Sequence, residues 1–506
     1  MNEFTTEYYS QGSLVNLKLI SGIVGFLLLF LGLFMLLPVV VGLIYSETDA
    51  VYAFLAASAI CCGSGAVLYF AFKPGKELRT REAFLVVSLS WLTFSLFSAI
   101  PFMLEGSLVS FSDAFFESMS GLTTTGATIF GGTTYSGTSN PSLDTLSKTI
   151  LFWRSLLHWI GGMGFIVFSI AILPLLGVGG MQLFRAESST PADDKLTPTV
   201  RETALYLWAV YALFTFVNFL LLVFHPDMDW FEALNHAFST LATGGFSTKD
   251  ASIGHFNSLY IDVVTIVFMF LAGISFAMHY RLLTGKTGAF FYNRETRFYT
   301  LVCVSFVTLI FFGLWLSGDY SAGDALRHGS FQALSIITTT GFGTDNYDAW
   351  PAVAVMLMFI LFFTGGCAGS TGGGIKMIRI MIILRTTQNE LKKALHPNAV
   401  IPVRIGNRTI EPSIVKTILS FFTLYMLTFF LGALALSAMD IDIVSALGAS
   451  IACLGSIGPA FGDFGPAENY ASLPDTGKWI LSLLMMIGRL EVFTVLVLLS
   501  PAFWKS

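Results

Sequence analysis

Long stretches of this chain carry almost no charge, and that restricts its fold more than any other feature. Residues 20–44, 51–72, 205–224, 261–277, 302–316 and 414–438 are nearly free of ionisable side chains. About 20 such residues cross the roughly 30 Å of hydrocarbon in a bilayer. A soluble protein with buried helices needs charged faces between its apolar runs. Only 12% of the 506 residues are charged, against about a quarter in soluble domains. The chain therefore reads as an all-α integral membrane protein that crosses the bilayer many times. Its first apolar run is too long for a cleaved signal peptide, and a second follows at once.

The net charge of −5 says little, but its distribution says more. Lys73, Lys76, Arg79 and Arg81 form one basic loop, and Arg281, Lys286, Arg294 and Arg297 another. Residues 376–416 hold eight Lys and Arg, and the stretch 185–201 is mildly basic. By the positive-inside rule these loops are cytoplasmic. Each block between them then crosses an even number of times, so the N-terminus is also inside, and Lys505 agrees. Cys61, Cys62, Cys303, Cys367 and Cys453 have no metal-ligand spacing and read as small buried hydrophobes.

Four segments share one grammar: an apolar helix, a short stretch opened by a carboxylate, a Thr/Gly turn, and another apolar helix. The stretches begin at Asp113, Asp229, Asp324 and Asp442. Their turns are Thr123-Thr124-Thr125-Gly126, Ala242-Thr243-Gly244-Gly245, Thr338-Thr339-Thr340-Gly341 and Gly455-Ser456-Ile457-Gly458. At about 9–14 residues the stretches are too short to span and suit re-entrant half-helices. Each carboxylate is placed to cap its half-helix. The opposite ends carry partial negative charge and, if they point at one centre, stabilise a cation there. Irregular backbone at membrane depth survives only inside protein or along a watery cavity. A ring of carbonyls that replaces an ion's hydration shell is how potassium filters work.

These units resemble the Trk/Ktr/HKT superfamily of potassium transporters, most closely its bacterial TrkH/TrkG type. Besides the turns, the resemblance rests on three motifs: Trp153-Arg-Ser-Leu-Leu-His-Trp-Ile-Gly-Gly-Met-Gly164, Thr364-Gly-Gly-Cys-Ala-Gly-Ser-Thr-Gly-Gly-Gly-Ile-Lys376, and Ile487-Gly-Arg-Leu-Glu491. It implies a two-helix segment, 1–78, followed by pore units at 79–187, 188–290, 291–398 and 399–506. It also implies one filter glycine per unit: Gly126, Gly244, Gly341 and Gly458. K⁺ would then be held by carbonyls of Thr124, Thr125, Ala242, Thr243, Thr339, Thr340, Ser456 and Ile457. The fourth turn, Ser-Ile-Gly-Pro, departs furthest from the others. The resemblance further implies a homodimer in the bacterial cytoplasmic (inner) membrane and a cytosolic nucleotide-binding regulator of the TrkA type. No cofactor and no nucleic-acid partner is expected in this chain. The residues themselves show an exposed basic segment, 385–416, suited to docking.

Six glycines lie between Gly365 and Gly374. Each disfavours helix by about 1 kcal/mol relative to Ala. A continuous run suits a mobile loop better than helix packing, which wants small residues one turn apart. The resemblance makes this loop, with Gly369, Gly372, Gly373, Gly374 and Lys376, a gate below the filter. Arg489 falls inside the last apolar run, where a charge costs at least about 2.5 kcal/mol. It needs a carboxylate partner or a watery path, and the resemblance favours a positive barrier in the ion path. Arg154 and His158, one turn apart, suit an interhelical hydrogen bond. An alternating-access carrier of another small solute is the rival function, although such carriers show two repeats of several helices rather than four short units. No spanning helix has the Arg/Lys spacing of a voltage sensor. No nucleotide loop, metal cluster or catalytic triad stands out, so an enzyme is not expected.

Overall fold

The computed structural model describes residues 15–72, 78–164, 200–406 and 408–504. Lys73, Lys76, Arg185, Lys195 and Lys505 lie outside the described residues, as does the 187/188 boundary between units. Among the described residues, six helices are long and apolar enough to cross a membrane, or eight if each bent pair counts as one span. Apart from a two-stranded antiparallel hairpin, Arg404–Ile405 with Arg408–Thr409, every regular element is helical. The all-α expectation holds.

The N-terminal helices, Leu17–Phe34 with Leu36–Tyr45 and then Thr48–Ala71, pack with little space between backbones. A Cβ placed on Gly25 would stand 2.6 Å from Leu68 Cβ, and one on Gly32 would stand 2.4 Å from Cys62 Sγ. Such close approach replaces the hydrophobic effect as the drive for helix association in lipid. The Cys61 thiol donates to the Leu28 carbonyl, and four of the five free cysteines are buried.

Four units follow. Their first long helices are Thr80–Glu105, Val200–Val223, Arg294–Trp315 and Pro412–Ser437. The short helices are Phe111–Leu122, Trp230–Ala242, Ala322–Ile337 and Ile443–Gly455. The third is 16 residues, slightly longer than expected. The returning helices are Lys148–Gly162, Leu259–Ala272, Ala352–Leu361 and Asp475–Arg489. The long helices of the last three units turn apolar faces outward, with Phe216, Leu301 and Leu431 exposed as lipid contact requires.

Only two of the four expected carboxylate caps form. Asp229 accepts from the Glu232 N–H, and Asp442 from the Val444 and Ser445 N–H groups. In the third unit Ser321 is the cap, and Asp324 sits one turn inside, bonded to the Ser321 hydroxyl. In the first unit Ser110 occupies the cap position without a side-chain bond. Asp113 is instead buried 2.5 Å from Lys478 Nζ on the last returning helix. It still lies near the positive helix end, but its charge joins the fourth unit to the first.

Two apolar runs break where the sequence reads as continuous. The helix Leu259–Ala272 bends 99° into Phe276–Leu283, and Asp475–Arg489 bends 111° into the segment beginning at Phe493. Arg489 is therefore the last residue of its helix rather than a mid-span residue. Glu491 and Val492 hold φ of 58° and 61° at the bend. Glu491 turns away and pairs with Arg379. Two of the basic segments meet: Gly406 of the hairpin packs against Arg294, while Asn389 bonds the Pro402 carbonyl within its own segment.

Candidate ion-coordinating site

Each short helix ends in the same turn. Thr124, Thr243, Thr339 and Ser456 adopt left-handed φ of 54°, 54°, 59° and 55°. The next N–H groups, of Thr125, Gly244, Thr340 and Ile457, bond back to the carbonyls of Ser120, Ser239, Ser335 and Ala452 at 2.8–2.9 Å. Left-handed geometry at a helix end normally calls for glycine. Holding four Thr/Ser residues there costs about 1–3 kcal/mol each, a strain typical of functional sites. Two residues after these, Gly126, Gly245, Gly341 and Gly458 take φ of 81°, 81°, 80° and 100°.

This geometry moves the register of the second unit. The equivalent of Gly126, Gly341 and Gly458 is Gly245, not Gly244. Gly244 stands where Thr125, Thr340 and Ile457 stand. Ala242 is the last helical residue, and the Thr243 hydroxyl bonds its carbonyl at 2.6 Å. Two adjacent glycines left the choice open in the sequence, and only backbone angles resolve it.

The turns close on one another in a circle. A Cβ on Gly126 would lie 2.1 Å from the Gly244 carbonyl oxygen, and one on Gly245 would lie 2.1 Å from that of Thr340. One on Gly341 would lie 1.9 Å from that of Ile457, and one on Gly458 would lie 2.6 Å from that of Thr125. Each glycine thus receives the carbonyl of the next unit, and the fourth returns to the first. Three residues per unit contribute to this ring: 124–126, 243–245, 339–341 and 456–458. Of these twelve carbonyls only that of Gly458 accepts a hydrogen bond among the described residues. More than nine in ten buried backbone carbonyls are normally paired. Eleven carbonyls around one ring have no hydrogen-bond partner among the described residues.

Different side chains back each turn. In the first unit Glu117, wholly buried, accepts from Ile129 N–H and from the Thr128 hydroxyl at 3.1 Å, and pairs with Arg154 Nε at 2.8 Å. Arg154 also donates to the Ser247 carbonyl and lies over the Phe246 ring, so it spans the first two units. The matching positions are His236, which bonds the Ser247 hydroxyl at 2.9 Å, and Gln332, which donates to the Asp345 carbonyl at 2.6 Å. The fourth unit has Ala449 at this place. There Tyr470 donates to the Gly458 carbonyl and Tyr347 to that of Ala460. His158 stacks on Phe246 and contacts Ser239 on the second short helix, in line with the interhelical bond expected of it.

The Gly-rich segment interrupts a helix as expected, between Ala352–Leu361 and Met377–Leu395. It is tightly folded and hydrogen-bonded. The Gly373 N–H donates to the Thr339 hydroxyl at 2.6 Å, and a Cβ on Gly373 would stand 2.4 Å from the Gly455 carbonyl. A Cβ on Gly372 would meet the Thr338 carbonyl at 2.9 Å. Gly369 and Gly374 hold φ of 77° and 63°. The Gly369 carbonyl accepts from Phe276 N–H, and Lys376, buried, donates to the Gly372 carbonyl. Glu295 accepts from Ala368 N–H at 2.7 Å and Ile378 N–H at 3.1 Å, a role no sequence signal announced. The segment thus packs directly against the third and fourth turns.

Arg489 completes the junction. Its guanidinium donates to the Thr124 hydroxyl at 3.1 Å, the Thr371 carbonyl at 2.9 Å, and the Gly161 and Gly162 carbonyls at 2.5 and 2.8 Å. It ties the first turn, the first returning helix and the Gly-rich segment together.

Broken spanning helices around a closed ring of backbone oxygens define a multi-pass membrane transport protein. A sequence model of the TrkH family, described as cation transport proteins, matches residues 50–506. The chain is 42% identical over 500 residues to the Trk system potassium uptake protein TrkH of Halomonas elongata, covering 97% of this chain and 100% of that one. It is 41% identical over 497 residues to the protein of that name from Escherichia coli K12, at 97% and 100% coverage. The crystal structure of the potassium transporter TrkH from Vibrio parahaemolyticus superposes with a TM-score of 0.85 at 37% identity, over 97% of this chain and 100% of that chain. The chain belongs to the TrkH family.

Proposed function

We propose that the chain takes up K⁺ across the bacterial cytoplasmic membrane by passing it through the ring at residues 124–126, 243–245, 339–341 and 456–458. One observation carries this reading: eleven ring carbonyls have no hydrogen-bond partner among the described residues, and the turns that bear them interlock cyclically. Carbonyl oxygens held in that way replace the hydration shell of a monovalent cation. The helix ends that point toward the ring add partial negative charge. On this reading the ion-holding residues of the second unit are Thr243 and Gly244, with Gly245 as the ring glycine. Segments 79–187, 188–290, 291–398 and 399–506 act as the four quarters of one pore, and 1–78 flanks it.

The Gly-rich segment with Gly369, Gly372, Gly373, Gly374 and Lys376 gates this path together with Arg489. Their contacts to Thr124, Thr339 and Gly455 support that role. The pore chain works as a homodimer, and a nucleotide-binding regulator docks on the basic end formed by 385–416. The meeting of the hairpin with Arg294 supports a single docking face there.

Rb⁺ uptake into proteoliposomes tests the pore. Gly126→Ala puts a methyl group 2.1 Å from the Gly244 carbonyl. It is expected to stop uptake or abolish K⁺ over Na⁺ preference. Gly137→Ala is the control, because Gly137 has φ of 83° with nothing within 4 Å. A folded Gly126→Ala protein with unchanged uptake and ion preference removes the reading.

A further inference from the structure

The four filter glycines are not equivalent. The carbonyls of Gly126, Gly245 and Gly341 accept no hydrogen bond among the described residues, and these glycines are part-exposed. Gly458 is buried, and the Tyr470 hydroxyl donates to its carbonyl at 2.8 Å. Its φ, 100°, is also the furthest from the other three. Tyr470 is held firmly for this task. It is buried, its ring stacks on Phe464 at 4.9 Å and 5°, and its own N–H donates to the Thr128 carbonyl at 2.9 Å. The bond is therefore a built contact anchored in both the first and the fourth unit.

We propose that Tyr470 is a specificity-determining residue: its hydroxyl takes the Gly458 carbonyl out of the coordinating set, so that the outermost level of the ring offers an ion three carbonyls instead of four. This rests on the filter reading above. The level beneath it, formed by Thr125, Gly244, Thr340 and Ile457, keeps all four. A carbonyl already engaged by a hydroxyl has less field to offer a cation. Ligand number and field strength are terms by which carbonyl rings separate K⁺ from Na⁺. Three oxygens crowd one another less than four and close more easily on the smaller ion. The outer level is thus the weak point of discrimination, and Tyr470 makes it so.

The test is Tyr470→Phe, which removes one hydroxyl and keeps the ring stack. Permeability ratios for K⁺, Rb⁺ and Na⁺ are read from reversal potentials of the full-length protein in planar bilayers. Release of the Gly458 carbonyl is expected to raise the K⁺/Na⁺ ratio about threefold, the scale of one neutral hydrogen bond changing partner. Tyr347→Phe is measured beside it. That variant loosens the same turn at Ala460 without adding an oxygen to the ring, and its ratio is expected to stay level or fall. A ratio that is unchanged or lowered in Tyr470→Phe overturns the proposal, because a merely structural tyrosine would lower it. Gly126→Ala keeps the two readings apart. If it abolishes K⁺ preference while Tyr470→Phe changes nothing, the filter stands and this inference falls. If neither variant alters the ratio, the filter itself fails.

Discussion

The first and fourth units are neighbours in the ring but are held in opposite ways. The first turn, Thr-Thr-Thr-Gly, is backed by a buried ion pair on its own helices, Glu117 with Arg154. The fourth, Gly-Ser-Ile-Gly, has Ala449 where the acid would be and depends on hydroxyls from Tyr470 and Tyr347. A buried charge pair is strong only while both partners are present. A pair of hydroxyls fails gently, one bond at a time. One backbone turn can thus be stabilised rigidly in one quarter and adjustably in another.

The largest effect is expected from breaking the rigid side. Glu117→Ala strands the Arg154 charge at 1% exposure and should cost about 3–5 kcal/mol. Unfolding of the purified protein in detergent measures it. The double variant Glu117→Leu/Arg154→Leu should recover most of that stability and still lose K⁺ preference, because the bonds to Thr128, Ile129 and Ser247 are gone. A double variant as unstable as the single one would mean that the pair is not the source of rigidity.

Arg489 links the two quarters, since it sits on the fourth unit and bonds Thr124 of the first. A unit charge about 8 Å from a path is worth about 2 kcal/mol at an effective dielectric of 20. Arg489→Ala is therefore expected to raise regulator-free Rb⁺ uptake at least about tenfold. Equal uptake by the variant and the parent would remove the barrier role.

Next in size is Glu295→Gln. It keeps an oxygen for Ala368 and Ile378 but drops the charge that strengthens both bonds, a change of about 1 kcal/mol. It should raise basal uptake a few-fold through the third and fourth turns and leave the ion pair behind the first turn intact. Hydrogen exchange confined to residues 364–378 would mark the loosened segment.

The smallest effect lies outside the membrane-spanning helices, where Asp348 accepts from Gly462 N–H and joins the third unit to the fourth. Burial pushes its carboxyl up to about 6. The folded protein then binds the proton more tightly than the unfolded chain does. The contribution of Asp348 to stability is therefore fully present below pH 4 and is lost as pH rises through 6. Asp348→Asn should raise the Tm at pH 8 and make no difference near pH 4. Partial exposure holds the gain below about 1 kcal/mol.

Much of this was legible in the sequence. Uncharged runs marked the spans, and recurrence of a short helix with a Thr/Gly turn marked the four units. Both are local signals. What escaped depends on partners far along the chain. Asp113 reads as a cap, but it is drawn to Lys478, 365 residues away. Arg489 reads as mid-helix because Leu-Glu-Val carries no glycine or proline to announce a 111° bend. Gly244 and Gly245 are interchangeable to pattern reading, and only closure against Thr340 distinguishes them. The tyrosines behind the fourth turn, one opening the short helix Tyr347–Ala349 and one outside any helix, have no motif around them.

The circular closure of the turns has a consequence for inheritance. All four corners of the carbonyl ring belong to one polypeptide, so a single codon alters one corner and spares three. An assembly of four identical chains would change every corner together. A chain of this kind can acquire one unlike oxygen, hold it with one unlike tyrosine, and adjust ion preference by a quarter at a time.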